Sequence, residues 1–204
     1  MNLNLTTMKK ILKISLVMVG IVSTLNANAT NSTLLMNLKK VEGKKVSFTL
    51  NDMKSVNLSI YDSNDDLIFK EDLTGKKSFR TYDLASFPEG EYYMVTENDL
   101  KISKYKLEIK GGLAILSPEA ISEVFKPVFD YSTEYGMLTI NLEKNAKTPV
   151  MVSIYDSNRE LLYSKTNSSN EITNKVFNLK KLKGEECTFY VSYSGKTFEK
   201  SFTL

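Results

Sequence analysis

Histidine and tryptophan are absent from this sequence of 204 residues, and cysteine occurs once, as Cys187. Without histidine there is no Ser-His-Asp or Cys-His arrangement, no histidine-based zinc motif and no imidazole to serve as general base near neutral pH. With one cysteine there is no intrachain disulfide, so packing of the core must hold the fold together. A glycine-rich phosphate loop is also missing: Gly111-Gly112 stands alone, without the lysine, strand and helix that such a loop needs. No apolar run reaches the ~20 residues with which a helix crosses a bilayer.

The chain opens with Lys9, Lys10 and Lys13, an apolar stretch from Ile14 to Leu25, and Ala27-Asn28-Ala29. Charge, apolar core and small-x-small pattern in that order predict a signal peptide over residues 1–29, cleaved between Ala29 and Thr30. Thr30, not cysteine, stands directly after the cleavage point, which excludes lipid attachment there. The signal holds 3 of the 27 basic residues and no acid, leaving 24 basic against 24 acidic residues. The net charge of +3 therefore belongs to the signal. The balanced remainder has no global field to attract nucleic acid or an anionic membrane. An exported protein is expected, in the periplasm, on the cell surface or in the medium.

The rest of the chain contains a duplication. Val56-Asn57-Leu58-Ser59-Ile60-Tyr61-Asp62-Ser63-Asn64 recurs as Val150-Met151-Val152-Ser153-Ile154-Tyr155-Asp156-Ser157-Asn158. Leu67-Ile68-Phe69 then matches Leu161-Leu162-Tyr163, Tyr82-Asp83-Leu84 matches Phe177-Asn178-Leu179, and Gly90 matches Gly184. The final strands correspond as well, Tyr105 to Ile109 against Lys200 to Leu204. A unit of roughly 90 residues is large enough to bury its own core, as a sandwich domain of ~100 residues does. Two domains follow, 30–110 and 113–204, with Lys110-Gly111-Gly112 as the expected junction.

Within each unit the apolar residues alternate. Val46, Phe48 and Leu50, then Val56, Leu58 and Ile60, mark strands with one face on a core, and Leu138, Ile140, Leu142, Val150, Val152 and Ile154 repeat the pattern. Asp62-Ser63-Asn64-Asp65 and Asp156-Ser157-Asn158-Arg159 are polar turns between apolar runs, as in hairpins. Many short strands with such turns predict an all-β chain of two tandem immunoglobulin-like β-sandwiches. Only Ser117-Pro118-Glu119-Ala120-Ile121 reads as a helix start. Tyr92, two residues after Gly90, is placed to brace a corner between sheets through its hydroxyl. In the second unit Cys187 takes that position, and a thiol cannot replace a phenol bridge.

Ile60-Tyr61-Asp62-Ser63-Asn64, Tyr82-Asp83-Leu84, Phe87-Pro88-Glu89-Gly90-Glu91-Tyr92-Tyr93 and the alternating last strand resemble the C-terminal sorting domains of the type IX secretion system. They also resemble related small secreted immunoglobulin-like domains of unknown function. The resemblance implies a sandwich fold and an extracytoplasmic setting, and it carries over no functional residues. Here the motif occurs twice with no larger cargo before it, and Asp65 and Arg159 stand where the family tends to have glycine after the hairpin asparagine.

Four features could carry chemistry. Asp62, Asn64 and Asp66 place oxygens at alternating positions like the start of a calcium loop, but Leu67 and Leu73 occupy the sixth and twelfth positions where such a loop needs Gly and Glu. Glu185 and Glu186 precede Cys187 and oppose a thiolate, so a buried structural cysteine is expected. Carboxylate pairs for glycoside hydrolysis have no distinguishing environment. Tyr92, Tyr93, Tyr131, Tyr135, Tyr190 and Tyr193 offer rings for stacking on glycans, or for pairing across strands. The expectation is a non-enzymatic binding or adhesion module without cofactor, whose partner is a protein or glycan at the cell envelope. Secretion cargo with a C-terminal address, and a small glycan-active enzyme, are the alternatives.

Overall fold

The computed structural model describes residues 36–142, 149–168, 175–182 and 184–204. The expected signal peptide, with Ala29 and Thr30, lies outside them. The described chain is all β apart from one short 3-10 turn, and it divides into two compact units between Phe125 and Lys126.

In the first unit seven strands make one branched sheet: β1 (Met36–Glu42), β2 (Lys45–Asp62), β3 (Leu67–Asp83), β4 (Gly90–Glu97), β5 (Lys101–Lys110), β6 (Leu113–Leu116) and β7 (Ser122–Phe125). β2 and β3 form a long antiparallel ribbon from Lys45↔Asp83 to Tyr61↔Leu67, with register shifts between Met53 and Ser55 and between Ile60 and Tyr61. The near half of β2 pairs with β1 and the far half with β4, so one ribbon supplies both layers. Val46 and Phe48 of the near half share a core cluster with Leu58, Met94 and Leu107. Ala114 N–H donates to the Gly43 carbonyl at 2.9 Å, bringing β6 against the β1–β2 turn. Burying each such apolar side chain is worth roughly 1.5–3 kcal/mol, which is what folds the ribbon over.

The expected junction at Gly111-Gly112 is a two-residue hairpin turn instead. Lys110 faces Leu113 across it, and both glycines have positive φ, +58° and +75°, as such turns require. β6 and β7 then pair with β5, so the first unit runs on to Phe125 rather than ending at residue 110. The helix start expected at Ser117 is likewise absent. Ser117 exchanges hydrogen bonds with Lys106, its N–H donating to the Lys106 carbonyl and its hydroxyl accepting from the Lys106 N–H, which ties the stretch to β5 as a link between strands.

The second unit is a sandwich of two sheets. β8 (Val128–Ser132), β9 (Met137–Asn141) and β12 (Lys175–Asn178) form one, in the order β12-β9-β8. β10 (Val150–Asp156), β11 (Leu161–Asn167), β13 (Glu186–Tyr193) and β14 (Lys196–Thr203) form the other, in the order β11-β10-β13-β14. The chain changes sheet between β9 and β10, between β11 and β12, and after the 3-10 turn Lys180–Leu182. Phe189 sits fully buried between the layers, its ring 5.8 Å from Phe177, 5.9 Å from Phe202 and 6.5 Å from Phe129. Gly136 allows the β8–β9 turn to close on that 3-10 turn. Its φ is +57°, and a Cβ there would stand 2.8 Å from Lys180 Cγ.

Candidate functional site on the four-stranded sheet of the second unit

Period-two alternation sends Cys187, Phe189, Val191 and Tyr193 of β13 into the core and Glu186, Thr188, Tyr190 and Ser192 to the opposite face. The pairing register assembles that outer face row by row. The rows run Met151, Ser192, Thr197; Ser153, Tyr190, Glu199; and Tyr155, Thr188, Ser201, with β13 in the middle of each. Hydroxyls bond across strands, Ser153 to Ser164 at 3.1 Å, Ser192 to Thr197 at 2.9 Å and Thr188 to Ser201 at 2.9 Å. Tyr155 and Tyr190 meet edge to face with centroids 5.6 Å apart. The result is an open depression of about 760 Å³ rimmed by Arg159, Glu186 and Glu199. Two tyrosine rings line it among serine and threonine hydroxyls, a surface for hydrogen bonding and ring contact.

The equivalent face of the first unit has diverged. Tyr61 and Ser59 match Tyr155 and Ser153, but Val95 stands at the place of Tyr190. Tyr93 is covered by Lys104, whose ammonium lies 3.9 Å from the ring centroid, and Lys106 pairs with Glu91. Turns and most core positions repeat between the units, whereas the outer faces diverge.

The tyrosines noted from the sequence scatter. Tyr190 is on the open face; Tyr193 is buried against Phe198, Tyr131 packs on Phe202, and Tyr135 is exposed at the β8–β9 turn. Tyr92 is buried, and its hydroxyl donates to the Pro88 carbonyl at 3.0 Å, bracing the chain where it enters β4 at Gly90 (φ +155°). Cys187 opposes Asp156 as Tyr92 opposes Asp62, fully buried and equivalent in register. Gly184 (φ +85°) donates its N–H to the Leu204 carbonyl, fastening the end of β14. Tyr155 is the residue of this candidate site that sequence reasoning missed. It lies in the repeated strand motif, and only the register with Tyr190 reveals its role.

Asp62 does not face an open ligand cage with Asn64 and Asp66. Its Oδ1 accepts the N–H of Asn64 at 2.8 Å and of Asp66 at 3.0 Å, and Asp156 does the same for Asn158 and Glu160, both at 2.9 Å. These carboxylates close the hairpins, with Asp65 and Arg159 taking φ +64° and +61° without glycine. Among the described residues no group of three or more acidic, cysteine or histidine side chains could hold a metal ion. The phenols of Tyr82 and Tyr193 are pushed above the ordinary tyrosine pKa by burial, and for Tyr82 the Glu71 carboxylate that accepts its proton at 2.6 Å adds to this.

No protein-family model matches the chain, and no curated protein does. Among solved structures it is similar to the BSP domain of a biofilm associated protein, at 13% identity over 83% of this chain and 30% of that one, with a TM-score of 0.25. It is also similar to the FN1–FN3 domains of chicken CNTN1, at 9% identity over 83% of this chain and 68% of that one, TM-score 0.27. A third is a Ruminococcus gnavus β-glucuronidase, at 9% over 78% of this chain and 34% of that one, TM-score 0.31. The chain thus spans about a third of the biofilm protein and of the glucuronidase. At these scores none of the likenesses bears on ligand or activity.

Proposed function

We propose that this protein is an exported, non-enzymatic binding module of the cell envelope, and that it takes a carbohydrate on the outer face of β10, β13 and β14. The observation that carries this reading is the depression lined by Tyr155, Tyr190 and Glu199, where the two rings meet edge to face. Sugars are recognised by aromatic contact with their C–H faces together with hydrogen bonds to their hydroxyls, and this face offers both. The absence of histidine in the sequence and the shallow, open form of the face suit binding rather than turnover. Among the described residues no helix is long and apolar enough to cross a membrane. A glycan array probed with the full chain tests the reading: discrete binding lost in Tyr190→Ala supports it, and an empty array removes it.

A second reading is favoured by one edge. In the first unit β6 and β7 cover the free side of β5, whereas among the described residues no strand covers the equivalent side of β14. An open edge accepts an extended segment of a protein partner. Capture of a surface protein, abolished when Ser201 is replaced by proline, would favour this edge over the sheet face.

A further inference from the structure

Where the first unit buries Leu73, the second buries an amide. Leu73 pairs with Val56 as Asn167 pairs with Val150, and Arg80 pairs with Phe48 as Lys175 pairs with Ile140, so these positions correspond. Asn167 is 3% exposed and Lys175 is 8% exposed. Lys175 Nζ donates to Asn167 Oδ1 at 2.7 Å and to the Tyr163 hydroxyl at 2.9 Å, between the rings of Tyr163 and Phe177. Asn167 Nδ2 donates to the Lys165 carbonyl at 3.1 Å and lies 3.5 Å from that of Val150, which fixes the amide with its oxygen toward the lysine. A buried polar pair in place of an aliphatic contact usually costs stability, and its presence asks for a compensating role.

We propose that Lys175 and Asn167 are the two halves of an intramolecular amide cross-link. The two groups are already in contact: Nζ is 2.7 Å from Oδ1, and the carboxamide carbon is one C=O bond (~1.2 Å) further, so Nζ and Cγ lie no more than about 4 Å apart. A small rotation of the amide brings them to the ~3–3.5 Å of a near-attack contact. Such proximity makes the encounter of the amide with the lysine, once it is in its neutral amine form, a unimolecular step. The Nζ–Cγ bond forms and the Cγ–Nδ2 bond breaks. One proton of the attacking amine moves to Nδ2, which leaves as ammonia. Counted from the lysine ammonium, the second proton departs with it, so the products are the amide and one ammonium ion. Nothing is oxidised or reduced and no co-reactant is consumed. Tyr163 holds Nζ in place and supplies a hydroxyl at 2.9 Å for relaying the proton. Asn167 ends a strand of the four-stranded sheet and Lys175 begins one of the three-stranded sheet, so the new bond staples the two layers of a unit that has no disulfide.

The test is an intact mass of the purified full chain under denaturing conditions, followed by a tryptic map. The cross-linked chain is lighter than its sequence by one ammonia, and trypsin leaves Thr166–Lys180 as one peptide because the acylated Lys175 is no longer cleaved. Asn167→Ala and Lys175→Ala each restore the full sequence mass, whether or not they weaken the fold. An unshifted mass with normal cleavage after Lys175 overturns the proposal. So does an ammonia loss that persists in Lys175→Ala and is released by hydroxylamine, which identifies a succinimide at Asn167-Ser168 instead.

Discussion

Tyr92 and Thr96 show how far single side chains separate the two copies. The Tyr92 hydroxyl completes one hydrogen bond, to Pro88, across the entry to β4. Tyr92→Phe should therefore lower stability by about 1 kcal/mol, the net worth of an ordinary protein hydrogen bond. Urea unfolding checks this, and an unchanged midpoint contradicts it. Thr96 acts in the other direction. Its Oγ1 is buried and, among the described residues, has no hydrogen-bond partner. The equivalent residue in the second unit is Val191, which opposes Val152 as Thr96 opposes Leu58. Thr96→Val keeps the shape and removes the stranded hydroxyl, so it should raise the unfolding free energy by about 1 kcal/mol.

At the scale of elements, the edge of β5 is the clearest device. Lys101 Nζ bonds Glu123 of β7 at 2.5 Å, with the lysine side chain only 6% exposed and the glutamate 38% exposed. Removing the carboxylate leaves a buried ammonium uncompensated. Glu123→Ala should cost about 2 kcal/mol, below the 3–5 kcal/mol of a fully buried pair because Glu123 is partly solvated. It should also expose the edge of β5, read as faster amide exchange at Ile102 and Lys104, whose backbone groups face β7. Equal exchange in mutant and parent would contradict this. Much of this level is legible in the sequence. Ile60-Tyr61-Asp62-Ser63-Asn64 and its copy at 154–158 mark both hairpins, because alternation and Asx turns are local properties. The role of Gly111-Gly112 is not local. Two glycines suit a linker as well as a tight turn, and only the pairing of Leu113–Leu116 with β5 decides between them. Tyr155 escaped for the same reason, since a face is composed by neighbouring strands and register is a tertiary property.

For the whole molecule, alkaline pH reports on the buried phenols of both units. Burial favours the neutral forms of Tyr82 and Tyr193, so their folded pKa values lie above the unfolded one. Such groups contribute their full stability below the unfolded value of about 10. As pH rises past it, the unfolded chain loses these protons first, and stability falls. The melting temperature should therefore drop above about pH 10, and less steeply in Tyr193→Phe. An identical drop in the mutant would remove Tyr193 from the explanation.

The duplication itself frames the functional claim. The turns and most core positions are repeated, and the outer faces differ: Lys104 covers Tyr93 in one unit, while Tyr155 and Tyr190 line a depression in the other. The most direct measurement is glycan-array binding by the full chain, by Tyr155→Ala/Tyr190→Ala, and by Tyr61→Ala as the matched change in the first unit. Discrete glycans bound by the parent and by Tyr61→Ala, and lost in the double variant with its melting temperature unchanged, are the predicted result. No binding by the parent, or binding that survives the double variant, would contradict the claim.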